Sequence, residues 1–149
     1  MAKNEVFYFY EFAKQLFLGE HNLQGDDIRY FLAKNTTPPA VDDAEPVYGD
    51  YDEVTTTYNI EGGLPVPNRT VTQTSGTVTF DHDTLQALAE SAGPTFSYII
   101  IYNNSHPLRP CIFFIEVVDN ADSAAHDLST TPYRWTPNAA GLFVGEKDS

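Results

Sequence analysis

Two continuous apolar runs organise the chain, one over residues 96–102 and one over 111–118. Runs this short, bounded by turn residues, fit strands buried on both faces. Asn103-Asn104-Ser105 lies between them, so they are expected to pair at the centre of a sheet. A third strand is expected over Ile28–Ala33, after Asp26-Asp27 and before Asn35, with Pro38-Pro39 closing it off. From 69 to 81 the pattern alternates: Thr70, Thr72 and Thr74 against Val71 and Gln73, then Thr77 and Thr79 against Val78 and Phe80. Threonine is β-branched and suits a half-solvated sheet face. With Ser75-Gly76 as the turn, this segment reads as a β-hairpin. Residues 133–136 and 142–144 read as two short closing strands.

Two segments show the helical period instead. Val6, Phe9, Phe12, Ala13, Leu16 and Phe17 fall at the i, i+3, i+4 spacings of one face, with Asn4 as a cap and Gly19 as a stop. The run Phe7-Tyr8-Phe9-Tyr10 also has strand propensity. Asp83-Thr84-Leu85-Gln86 has the outline of a capping box. Leu85, Leu88 and Ala89 give an apolar face, and Gly93-Pro94 ends it, so a short helix is expected over 84–92. Together these elements predict a mainly β chain: an antiparallel β-sandwich or jelly-roll-like domain with an N-terminal helix and one short helix. At 149 residues it is expected to be one domain, 1–149, with an aromatic N-terminal segment at 1–20.

Charge alters this picture in one region. The chain carries 8 basic and 21 acidic residues, a net charge of −13. Residues 35–68 hold Asp42, Asp43, Glu45, Asp50, Asp52, Glu53 and Glu61 and no Lys or Arg. With its prolines and glycines, that stretch reads as a long acidic loop excursion, on the surface or ordered by a neighbour. Nucleic-acid binding needs clustered Lys and Arg, so no direct nucleic-acid partner is expected. No apolar stretch reaches the 18 or so residues of a membrane helix, and residues 1–5 do not show a leader pattern. The single cysteine, Cys111, sits inside an apolar run and is expected to be a buried, inert thiol.

No constellation argues for catalysis. Asp81-His82-Asp83 is the one tight group of metal-type ligands, but adjacent residues on a strand alternate faces and cannot converge. Ser91-Ala92-Gly93 lacks the flanking glycines of a nucleophile elbow, and Gly62-Gly63 lacks the lysine of a phosphate loop. The paired carboxylates lie in the acidic excursion, where solvated charge is the simpler reading. The expectation is therefore a non-enzyme with no cofactor and no metal. The concentration of aromatics at Phe7, Tyr8, Phe9 and Tyr10, and of Tyr48 and Tyr51 among carboxylates, marks these six as candidate partner-binding residues. Tyr48-Gly49-Asp50-Tyr51-Asp52 also leaves open a carbohydrate-binding surface, although the lone Trp135 is distant in sequence.

Several short elements follow one another in a recognisable order. Gly19-Glu20-His21-Asn22-Leu23 ends an apolar N-terminal segment. Asp27-Ile28-Arg29 opens a strand that leads to Asn35-Thr36-Thr37-Pro38. Tyr58-Asn59-Ile60-Glu61-Gly62-Gly63 is similar to a Tyr-x-x-Gly-Gly element, departing from it at Ile60-Glu61. Gly93-Pro94, Phe96 and Tyr98-Ile99-Ile100-Ile101-Tyr102-Asn103 follow, and Asn138-Ala139-Ala140-Gly141-Leu142-Phe143 closes the series. In this order, over residues 12–144, the chain resembles the cement (decoration) proteins of tailed-bacteriophage capsids. The resemblance implies a structural role on the outer surface of a virion made in the host cytoplasm. The partners it implies are the major capsid protein and further copies of the chain, as a dimer or trimer. A tail, neck or head-fibre component with a sugar-binding surface is the alternative. On the shell-binding reading, residues 1–11 are expected to serve attachment or self-association, so that their removal leaves the sheet folded.

Overall fold

A computed structural model describes residues 5–117, 125–137 and the backbone of 143–146. Its centre is an antiparallel sheet in which β9 (Tyr98–Asn103) lies between β10 (Cys111–Glu116) and β2 (Ile28–Ala33). The two apolar runs thus pair with each other, as their composition predicts. β1 (Val6–Tyr8) adds to the outer side of β10, while β3 (Glu53–Val54) and β4 (Leu64–Pro65) add to the outer side of β2. In-register rows cross the sheet: Phe31, Ile100, Phe114 and Phe7 on one face, and Leu32, Ile99, Ile115 and Val6 on the other. Alternation along each strand therefore feeds two separate cores.

One core collects Ile28, Tyr30, Leu32, Ile99, Ile101, Phe113 and Ile115. Against them pack Phe12 of α1 (Tyr10–Phe17), Phe80 of the hairpin, and the small two-stranded sheets. The other core collects Phe31, Ala33, Tyr98, Ile100, Tyr102 and Phe114, covered by Phe9, Val41, Tyr48 and Tyr51. At Cys111 the register shifts, so that Ile112 and Phe113 both face the first core while Cys111 faces the second. That is a β-bulge, one extra residue spent on re-aiming a strand. Cys111 is fully buried and free, and burial pushes its thiol pKa up, so it is a packing residue rather than a nucleophile.

The hairpin lies where its alternation places it. β5 (Thr70–Thr74) and β6 (Thr77–Asp81) turn through Ser75-Gly76, at φ 51° and 88°, as a two-residue hairpin loop requires. β13 (Phe143–Glu146) pairs with β6. β8 (Thr95–Phe96) pairs with β11 (His126–Asp127), and β12 (Tyr133–Trp135) is the predicted strand near 133–136.

Three expectations need correction. The helix does not begin at residue 6: Val6–Tyr8 is a strand and the helix covers only Tyr10–Phe17. The aromatic run alternates with period 2, Phe7 and Phe9 entering the second core while Val6 packs on the first. Asn4, the expected cap, lies outside the described residues, and Phe9 holds the cap position without a side-chain bond. The short helix over 84–92 does not form either. Leu85–Ala87 is a strand, β7, paired with β12. Leu85 and Ala87 are buried and Gln86 is exposed. The Gln86 carbonyl accepts from Tyr30 Oη at 3.0 Å and from Asn59 Nδ2 at 3.1 Å, while the Glu90 N–H that a helix would give it donates to the Leu128 carbonyl at 3.0 Å. Finally, the acidic stretch 35–68 is not an open excursion. Val41, Tyr48 and Tyr51, around a 3-10 turn at Tyr48–Asp50, cover the second core, while β3 and β4 pair with β2 and Val54, Leu64 and Val66 join the first core.

Candidate functional site

The six aromatic candidates separate into three kinds. Phe9 is 0% exposed and Tyr51 8%, their rings 6.1 Å apart inside the second core. The assignment of these two to partner binding is corrected: both are consumed by the chain's own packing. Phe7 and Tyr48 are half-buried. Phe7 stacks on Phe114 at 5.3 Å. Tyr48 stacks on Tyr102 at 4.8 Å, meets Phe31 edge-on at 5.1 Å, and has the Arg109 guanidinium 5.0 Å over its ring. The carbohydrate reading thus loses the two tyrosines that motivated it, since neither offers a ring face to a sugar. Only Tyr8 and Tyr10 remain outward, 41% and 61% exposed.

The acidic cover is held down by its own carboxylates. Tyr48 Oη donates to Glu53 Oε1, and the Gly62 N–H donates to Glu53 Oε2 at 3.1 Å. Tyr51 Oη donates to Asp43 Oδ2 at 2.7 Å, and Asp43 also accepts the Ala40 N–H at 3.1 Å. Burial first, and then the adjoining carboxylates, push both tyrosine pKa values up, so the phenols stay protonated donors. Burial likewise raises the Glu53 pKa. The outer carboxylates Asp42, Glu45, Asp50 and Asp52 stay solvated, leaving a cover that is apolar below and acidic above.

Two histidine environments escaped the sequence reading. His21 is buried between helix end and sheet end, its Nε2 donating to Gln15 Oε1 at 2.8 Å and its Nδ1 accepting from Asn103 Nδ2 at 2.9 Å. Asn103, itself fully buried, also reaches Asp26 Oδ2 at 2.8 Å. His82, 5% exposed, donates from Nδ1 to the Asp83 carbonyl at 2.6 Å and lies between Phe80 and Trp135. Its Nε2 finds no partner among the described residues. The Asp81 and Asp83 carboxylates do not converge on it: Asp81 accepts the His82 N–H, and Asp83 accepts from Asn68 Nδ2. Among the described residues no group of three His, Cys, Asp or Glu could hold a metal.

These burials have a pH consequence. Burial lowers the pKa of His82, against the pull of Asp81 and Asp83. Burial, then the nearby His106, lowers that of His21, against Glu20 and Asp26. Below the unfolded value of 6.5, the unfolded chain therefore binds protons that the folded chain does not. Stability is full above that pH and falls as pH drops from it toward the folded values. Thermal melts taken in half-unit steps from about pH 7.5 to 5 should show a falling midpoint below about 6.5. A His82→Phe variant should flatten part of that slope. A midpoint flat across the window would mean that neither imidazole is held neutral.

Comparison with protein-family models, with curated proteins and with solved structures finds no match to this chain.

Proposed function

We propose that the chain is a non-catalytic cement (decoration) protein of a tailed-bacteriophage capsid, bound to the outer shell and bridging neighbouring capsid subunits. The observation that supports this reading is spatial. Four of the five sequence elements that resemble the cement proteins meet through their own polar groups. His21 of the Gly-x-His-Asn-Leu element is bonded to Asn103, which ends the Tyr98–Asn103 strand, at 2.9 Å. Asn35 of the Asn-Thr-x-Pro turn accepts from Tyr98 Oη at 3.2 Å. Gly62 of the Tyr-x-x-Gly-Gly element accepts from Tyr102 Oη at 2.6 Å. The matched elements therefore adjoin one another around the Tyr98–Asn103 strand. Of the fifth element only Phe143 is described, paired in β13 with Phe80.

The surface suits such a role. An acidic, solvated cover faces outward over an apolar core, and net charge of −13 disfavours association with packaged nucleic acid. The reading carries the major capsid protein as partner and a dimer or trimer as the assembly. Electron cryo-microscopy of the parent virion is the test. Density that accepts this fold is expected on the outer shell, between capsid subunits. Finding the chain inside the shell, in the tail, or absent from the particle would sink the proposal.

A further inference from the structure

The outward tyrosines do not stand alone. Val6, Phe7, Tyr8 and Tyr10 on one side and Ala40 and Val41 on the other line an open cleft of about 480 Å³. Its walls are fixed from beneath. Phe7 stacks on Phe114, Val41 packs on the second core, and the Tyr10 N–H donates to the Val41 carbonyl at 2.8 Å. Tyr8 and Tyr10 meet at 6.5 Å with their rings 64° apart, so the cleft presents two differently oriented aromatic surfaces.

Among the described residues two carboxylates stand beside this cleft: Asp43 accepts the N–H of the lining residue Ala40 at 3.1 Å, and Asp42, exposed, follows Val41 in the chain. The next cation along the helix, Lys14, lies 3.7 Å from Glu11, and Lys3 is outside the described residues. Aromatic faces beside solvated carboxylates attract a long cationic side chain. Its methylene stem lies along the rings, and its charged head meets both the ring quadrupole and the carboxylates. A second copy is a poor occupant, because it would bring another acidic rim against this one on a chain with 8 basic residues in 149.

We infer that the Tyr8–Tyr10–Val41 cleft is a docking site for an arginine- or lysine-bearing loop of another protein. Taking that protein to be the capsid subunit rests on the cement reading; the cleft's chemistry does not. Attachment through it is electrostatically assisted and weakens with salt.

Two measurements separate the inference from that reading. In the first, isotope-labelled protein is titrated with a blocked Val-Arg-Val-Arg-Val peptide and, in parallel, with Val-Glu-Val-Glu-Val. Amide shifts are expected at residues 6–10 and 40–42 with the arginine peptide only. They should be lost at about 0.5 M salt, where screening acts over a few ångström. In the second, shells lacking this protein are decorated with wild type, with Tyr8→Ser/Tyr10→Ser, and with Asp42→Lys. Each variant should bind about tenfold or more weakly with its thermal midpoint kept, since the altered groups are exposed. Equal shifts with both peptides, shifts confined to other residues, or no shifts would overturn the inference whatever the shells show. A wild type that ignores shells but takes up the arginine peptide at the cleft would remove the capsid as partner and leave the docking site standing.

Discussion

Replacing Phe9 by alanine should lower stability by about 3–5 kcal/mol, the range for truncating a fully buried phenylalanine. Phe9 has no exposed surface, its ring lies 5.1 Å from Phe114 and 6.1 Å from Tyr51, and it closes the core beneath the acidic cover. Its backbone is engaged as well, the N–H donating to the Ile112 carbonyl at 3.1 Å. Tyr10→Ala, one residue on and 61% exposed, is the internal control, expected within about 0.5 kcal/mol of wild type. Chemical denaturation of the two variants checks both numbers. Deleting residues 1–11 removes β1 together with Phe9, so it should abolish or severely weaken cooperative melting. The expectation that this segment is dispensable to the fold is thereby reversed. If the truncated chain melts as cooperatively as the intact one, the placement of Phe9 in the core is wrong.

Gly63→Ala should be nearly as damaging, for a different reason. A Cβ at this position would lie 2.3 Å from the Tyr30 carbonyl oxygen and 2.9 Å from its carbon, and both are backbone atoms of a central strand. The residue also sits at φ +80°, in the left-handed region. That conformation costs a side chain about 1–2 kcal/mol, and overlap that moves backbone adds about 1–3. A loss of about 2–5 kcal/mol is expected. In a chain of this size each kcal/mol lowers the thermal midpoint by about 2–4 °C. Gly62→Ala separates the two terms. Its φ is +87°, yet a Cβ there meets nothing within 4 Å, so it bears the conformational cost alone. Equal midpoints for the two variants would show that β4 does not approach β2 this closely.

The two predictions bear on what could be read beforehand. The Gly-Gly pair was visible as a motif, but nothing local says that its second glycine lies against Tyr30. The six aromatics were visible as candidates, but their division into core and surface depends on which face of the sheet each one meets. Phe9 and Tyr10 are adjacent and chemically close, and they end on opposite sides of the core boundary.

What the sequence determined by itself is the centre of the fold. Three mainly apolar strands, bounded by Asp, Asn and Pro, can lower their free energy only by being covered on both faces, and residues 28–33, 98–103 and 111–116 are buried but for the half-buried Arg29 and Glu116. The threonine hairpin was equally legible, because strict alternation around Ser75-Gly76 admits one period. Tertiary structure decided everything at the margins of that sheet. Residues 6–8 and 85–87 fit a helical and an extended pattern alike, and each became a strand because a neighbour, β10 or β12, offered an unpaired edge. The first half of the acidic segment became a cover because the second sheet face needed one, while Val54, Leu64 and Val66 of its second half went to the first core. Tyr48, Tyr51 and Val41 supply apolar surface at spacings too irregular to register as a pattern, while Glu53 and Asp43 accept hydrogen bonds from the phenols that burial would otherwise leave unbonded. Local pattern fixes a segment when one conformation alone satisfies its side chains; where two do, the partner across the gap chooses.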